Sequence, residues 1–171
     1  MNYRDFICRA GVSVILSALG AGIAQAQPAV GEMLLPVQPT CLTSPFGVRP
    51  APGPNAVGFH NGIDLRAPAG GAVLAVADGR VVGIDRRGAG GFQIAVQHQG
   101  ALGPYTALYS HLGILAPAFA QGRGLVKRGE RLARIGRTGV TYGTHLFFEI
   151  KVGGRPVDPA PLFPILPCPG K

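Results

Sequence analysis

The chain has 171 residues, of which 27 are glycine and 16 proline; apolar residues make up 47% and charged residues 14%. It is too apolar for a disordered chain and too rich in helix-breaking residues for a helical bundle. The formal net charge of +8 would ordinarily suggest nucleic acid, but the first segment argues against that partner.

Residues 1–9 carry Arg4 and Arg9, residues 10–24 are mainly apolar, and Ala24, Gln25 and Ala26 form a small-x-small site. This is the layout of a secretory signal peptide cleaved after Ala26. The apolar run is short for a spanning helix. The expectation is an exported protein, periplasmic or extracellular, that does not span the membrane after cleavage and meets no nucleic acid. Removing Arg4, Arg9 and Asp5 from 16 basic and 8 acidic residues leaves a net charge of +7. Polyanionic envelope or anionic lipid headgroups suit that charge. Arg123, Lys127, Arg128, Arg131, Arg134 and Arg137 cluster in sequence, as either a binding surface or a solvated basic face. Cys41 and Cys168 remain near the two ends of the mature chain, and an oxidising compartment favours a disulfide between them.

Residues 27–43 read as an extended lead-in, and residues 44–55, rich in Gly and Pro, as a loop. Residues 72–77 form a buried apolar run. Asp78-Gly79 is a hairpin signal, with residues 80–84 continuing after it. Residues 86–91 turn the chain. Residues 92–98 alternate, with Phe92, Ile94, Val96 and His98 on one face. Residues 100–104 turn again, and residues 105–112 read as one strand. Residues 115–121 suit a short helical turn. Residues 131–135 and 145–152 are further strands, and a Pro-rich tail returns to Cys168. Many short strands and tight turns give an all-β, mostly antiparallel fold in one domain.

Four histidines carry the candidate chemistry. His60 and Asp64 frame His-Asn-Gly-Ile-Asp, whose Asn-Gly bend lets imidazole and carboxylate converge, as a zinc site requires. Spacing alone equally describes a simple hydrogen bond. His111 lies in Tyr109-Ser110-His111-Leu112. His145 begins Thr144-His145-Leu146-Phe147-Phe148-Glu149-Ile150. In a strand, His145, Phe147 and Glu149 share one face, while Leu146, Phe148 and Ile150 face the core. Glu149 could orient an imidazole or be a solvated edge charge. His98, on an apolar face, reads as structural.

These blocks resemble the lysostaphin-type, or LytM-like, zinc metallopeptidases that cut peptide cross-links in bacterial cell wall. The likeness runs from Ser44 to Pro159. It is carried by Ser44-Pro45-Phe46-Gly47-Val48-Arg49, by Phe59-His60-Asn61-Gly62-Ile63-Asp64-Leu65, and by Val76-Ala77-Asp78-Gly79-Arg80-Val81-Val82. Tyr109-Ser110-His111-Leu112 and Lys127-Arg128-Gly129-Glu130 with Gly136-Arg137-Thr138-Gly139 complete it. The resemblance implies a LytM-like sandwich or half-barrel over residues 44–160, with residues 161–171 as a tail, and an open groove lined by His60, Asp64, His111 and His145. It implies Zn2+ on His60 and Asp64, with His111 and His145 as catalytic imidazoles, and peptidoglycan peptides as ligand.

One position departs from the family. The third ligand should stand two residues after His145, where the chain has Phe147. A phenyl ring has no lone pair for zinc, and a catalytic zinc site normally has three protein ligands. Three states follow. The domain is a pseudo-enzyme that binds cell wall or activates a cell-wall amidase; or His145 replaces the lost ligand; or the metal is absent and the polar residues are remnants. A different reading, from the likeness of residues 125–132 to the turn of a lipoyl-type carrier, does not account for His60 with Asp64.

Overall fold

The computed structural model describes residues 33–50, 53, 58–100 and 103–169. The expected leader, residues 1–26, lies outside these. Among the described residues, thirteen short strands follow one another. They are β1 Leu42–Ser44, β2 Gly47–Val48, β3 Phe59–His60, β4 Ile63–Arg66, β5 Ala72–Leu74, β6 Gly79–Asp85 and β7 Gln93–Gly100. Then come β8 Gly103–Ser110, β9 Leu112–Leu115, β10 Leu125–Val126, β11 Arg131–Ile135, β12 His145–Val152 and β13 Arg155–Val157. One helical turn, α1 Pro117–Ala120, follows β9. An eight-stranded antiparallel sheet runs β1-β4-β12-β8-β7-β6-β10, with β13 also on β12. A second sheet, β5-β11-β9, packs against it, and β2-β3 form a small ribbon. The all-β antiparallel expectation holds.

Period-two alternation decides which face of the large sheet is buried. On β12, Leu146, Phe148 and Ile150 enter the core, and on β7 Ile94, Val96 and His98 do the same. Tyr109 and Phe148 pack ring to ring at 5.2 Å. The second sheet closes this core with Val73, Leu112, Leu132 and Ile135. The other face of the large sheet stays open and forms the groove floor.

Residues 33–41, expected as a lead-in, are bound to the fold. Val37 is buried in the core, Leu34 N–H donates to Val76 O, and Leu74 N–H donates to Pro36 O. The far end is also fastened. Leu42 N–H donates to Leu166 O, Cys168 N–H donates to Leu42 O, and Cys41 and Cys168 form a disulfide.

Two local expectations are corrected. Asp78-Gly79 does not close a hairpin, because β5 pairs β11 while β6 pairs β7. The chain instead changes sheets there. The Asp78 carboxylate holds this corner by accepting from Arg128 N–H at 2.7 Å and Lys127 Nζ at 2.9 Å. Glycine is required because a Cβ at Gly79 would meet Gln97 O at 2.5 Å. Residues 105–112 are likewise two strands rather than one. His111 has φ 63°, a left-handed conformation costly for a residue with a side chain. It turns the chain from the large sheet into the second.

His98 is structural, as expected. It is 1% exposed, stacks on Tyr105 at 5.1 Å, and its Nδ1 lies 3.0 Å from Asp78 O. Burial pushes its pKa below the usual 6.5, against the weaker pull of Asp78. The unfolded chain therefore binds a proton that the folded chain resists, and stability rises with pH in that window. The contribution is complete above pH 6.5 and lost as pH falls toward the folded pKa. His98→Gln should flatten the slope of urea-unfolding free energy below pH 6.5; an unchanged slope would assign the acid sensitivity elsewhere.

Candidate functional site

The groove lies over the open face, with a volume of 790 Å³, lined from β1, β3, β4, β7, β8 and β12 and by the loop before β12. His60 ends β3 and Asp64 sits in β4; both are buried. The intervening turn lies tight on β12, since a Cβ at Gly62 would meet Phe148 O at 2.3 Å. His111 stands at the left-handed corner after β8, and His145 opens β12.

All four polar residues named from the sequence come together. His60 Nε2 is 3.3 Å from Asp64 Oδ1, and His145 Nε2 is 3.4 Å from the same oxygen. The His111 and His145 rings meet edge to face at 4.8 Å. Each imidazole is oriented through its other nitrogen. His60 Nδ1 lies 2.8 Å from Pro45 O, His111 Nδ1 2.9 Å from Thr138 O, and His145 Nδ1 3.1 Å from Gly143 O. A carbonyl can only accept, so each Nδ1 carries a hydrogen; the Nε2 atoms of His60 and His145 face Asp64 Oδ1, and that of His111 faces the groove.

Asp64 has partners on both oxygens. Oδ1 faces Nε2 of His60 and of His145, and Arg49 Nη1 stands 3.5 Å from Oδ2. Burial raises the Asp64 pKa, but the His60 hydrogen bond and the charges of His145, His60 and Arg49 outweigh it and hold the carboxyl below its usual 3.8. Burial lowers the His111 pKa, only partly offset by its bond to Thr138.

Phe147 occupies the centre of the floor. Its register partners are Asp64 on β4 and Ser110 on β8. Its ring lies 5.2 Å from that of His60 and 6.3 Å from that of His111. Directly opposed residues have Cβ atoms about 4.5–5.5 Å apart, so an imidazole here would reach Asp64; a phenyl ring brings no donor. Among the described residues, no three His, Cys, Asp or Glu side chains form a group able to hold a metal ion.

Comparison with known proteins decides the family. The profile of peptidase family M23 matches residues 58–159. The chain belongs to that family. A DD-carboxypeptidase/endopeptidase, Mpg, of Neisseria meningitidis serogroup B is 37% identical over 129 residues, covering 75% of this chain and 28% of the relative. The murein hydrolase activator NlpD of Escherichia coli is 37% identical over 109 residues, covering 63% of this chain and 27% of the relative. The chain thus spans about a quarter of the length of these curated relatives. Among solved structures, a zinc containing peptidase from Vibrio cholerae matches with TM-score 0.64 and 34% identity, over 82% of this chain and 41% of that one. The catalytic domain of lysostaphin from Staphylococcus simulans matches with TM-score 0.60 and 26% identity, over 71% and 90%.

This M23 domain uses residues that the sequence reading named only inside motifs or passed over. Arg49 closes the Asp64 cluster. Thr138 accepts from His111 through its carbonyl, and its Oγ1 accepts from Phe92 N–H and donates to Leu112 O. Phe59 and Tyr142, both exposed, line the groove. Glu149 neither meets His145 in any described contact nor stands in solvent; it is buried in the floor. Among the described residues, no helix is long and apolar enough to cross a membrane.

Proposed function

We propose that this chain is an exported M23 domain that binds peptidoglycan peptides in its groove without hydrolysing them through zinc. The observation that supports this most is Phe147 at the centre of the floor. The family's reaction calls for three metal ligands and two proton-handling imidazoles. His60, Asp64, His111 and His145 are four groups for those five roles, with a phenyl ring at the fifth position. Asp64 already has neighbours on both oxygens, and the Arg49 guanidinium compensates its charge. The groove and its oriented imidazoles remain, which suits a binding domain. The names of the relatives include both an endopeptidase and a murein hydrolase activator, and the second is the kind of role open to a non-hydrolytic member. The basic residues flanking β10 and β11 would help retain the protein on an anionic wall.

A second reading is favoured by one pair of distances. Two donors on a tetrahedral zinc at about 2.0–2.1 Å stand ~3.3–3.4 Å apart, as do both imidazole nitrogens from Asp64 Oδ1. Zinc held by His60, Asp64 and His145 would need His145 to turn further inward, and would leave His111 as the only proton-handling imidazole. His145→Ala would then abolish zinc binding.

The test incubates protein lacking residues 1–26 with purified sacculi in zinc-containing buffer, followed by sedimentation and assay of released fragments. The expected result is co-sedimentation without release by the protein alone, and release by a purified amidase that is faster with the protein than without it. Fragments released by the protein alone would contradict the reading.

A further inference from the structure

The groove contains one buried charge that the metal site does not use. Glu149, on β12 next to Phe147 along the floor, has a side chain only 5% exposed, yet it lines the open groove. Its Oε1 is buried and accepts no hydrogen bond. Lys151 Nζ stands 3.6 Å from that oxygen, beyond hydrogen-bonding range, on a side chain 40% exposed. A carboxylate so placed costs stability unless something completes it.

The surroundings suggest the missing partner. Phe147 precedes Glu149 on the same face, and Leu108 is its register partner on β8; both line the groove. Beside them, Ser110 is fully buried and donates to Gln93 Oε1 at 3.1 Å. The subsite therefore has apolar walls and a carboxylate with an open acceptor. This suits a flexible aliphatic stem ending in an ammonium, whose methylenes pack on Phe147 and Leu108 while the charge meets Glu149. A neutral amide hydrogen would fill the acceptor but leave the charge to the half-exposed Lys151 alone.

We propose that Glu149 is the recognition residue for a primary amine on the side chain of the bound peptide, with Lys151 as a displaceable neighbour that partly screens it. This rests on the groove being a peptide-binding site, and it specifies the chemistry of that peptide. Burial raises the Glu149 pKa above its usual 4.5, against the pull of Lys151, which agrees with a carboxylate lacking its full complement of donors.

The probes are a synthetic tetrapeptide containing one lysine and the same peptide acetylated on the lysine side-chain amine, titrated calorimetrically against the protein. The free-amine peptide should bind at least 10-fold tighter than the acetylated one. Glu149→Gln, nearly isosteric, should bind both equally, and Lys151→Met should tighten the free-amine peptide. Folding of the Gln variant is checked by its own unfolding curve. A group whose folded pKa is raised stabilises fully only below its unfolded pKa and loses that contribution as pH rises. The variant should therefore be at least as stable as the parent at pH 7. Equal binding of both peptides by the parent protein overturns the role of Glu149 and leaves peptide binding intact. Binding of neither peptide overturns both.

Discussion

Phe147→His should raise zinc affinity by about 100-fold or more, since losing even an outer-shell partner of a zinc ligand costs about 10–100-fold and this change supplies a ligand. The geometry is prepared for it. Position 147 is the register partner of Asp64, its ring already lies 5.2 Å from that of His60, and its face of β12 is the groove face. The substitution also frees His145 for the role that the family resemblance gives it beside His111, whose ring it meets at 4.8 Å. Sacculus hydrolysis should therefore appear together with zinc binding and disappear with chelator. Binding should weaken as pH falls, because metal ligation requires neutral imidazoles. Zinc without hydrolysis would locate a second lesion elsewhere in the groove; no gain in zinc would mean that Phe147 is not what the site lacks.

The second large effect concerns the ends of the fold. The Cys41–Cys168 bridge closes a loop with a sequence separation of 127. Chain-entropy arithmetic for such a loop gives about 4–5 kcal/mol. Removing the bridge with paired serines should lower the unfolding temperature by about 10–15 °C. The folded structure itself should change little, because the backbone bonds between Leu42 and residues 166 and 168 hold the tail in place. The loss then comes from a freer unfolded chain, with native spectra retained below the transition. A shift under about 3 °C on reduction would show that the tail contacts, rather than the covalent link, fix the ends.

The groove was legible in the sequence because its parts obey local rules. Alternation along residues 145–150 placed Phe147 and Glu149 opposite Phe148, and the structure keeps that division. The Asn-Gly bend between His60 and Asp64 was readable for the same reason. Two features were not, because both depend on pairing distant in sequence. Asp78-Gly79 has hairpin chemistry, but β5 finds a better partner in β11, so the same dipeptide makes a corner between sheets. Residues 105–112 have continuous strand propensity, and the left-handed break at His111 follows from β8 pairing in the large sheet while β9 pairs β11 in the second. The role of Arg49 was hidden similarly: nothing within its own segment shows that Asp64 will lie beside it.

Zinc titration of the unaltered protein, read by calorimetry and by metal analysis after gel filtration, tests the central claim most directly. With a phenyl ring at the third ligand position, the account expects no tight site and far less than one zinc per chain. Near-stoichiometric zinc that survives gel filtration, and that is lost in His145→Ala, would contradict it.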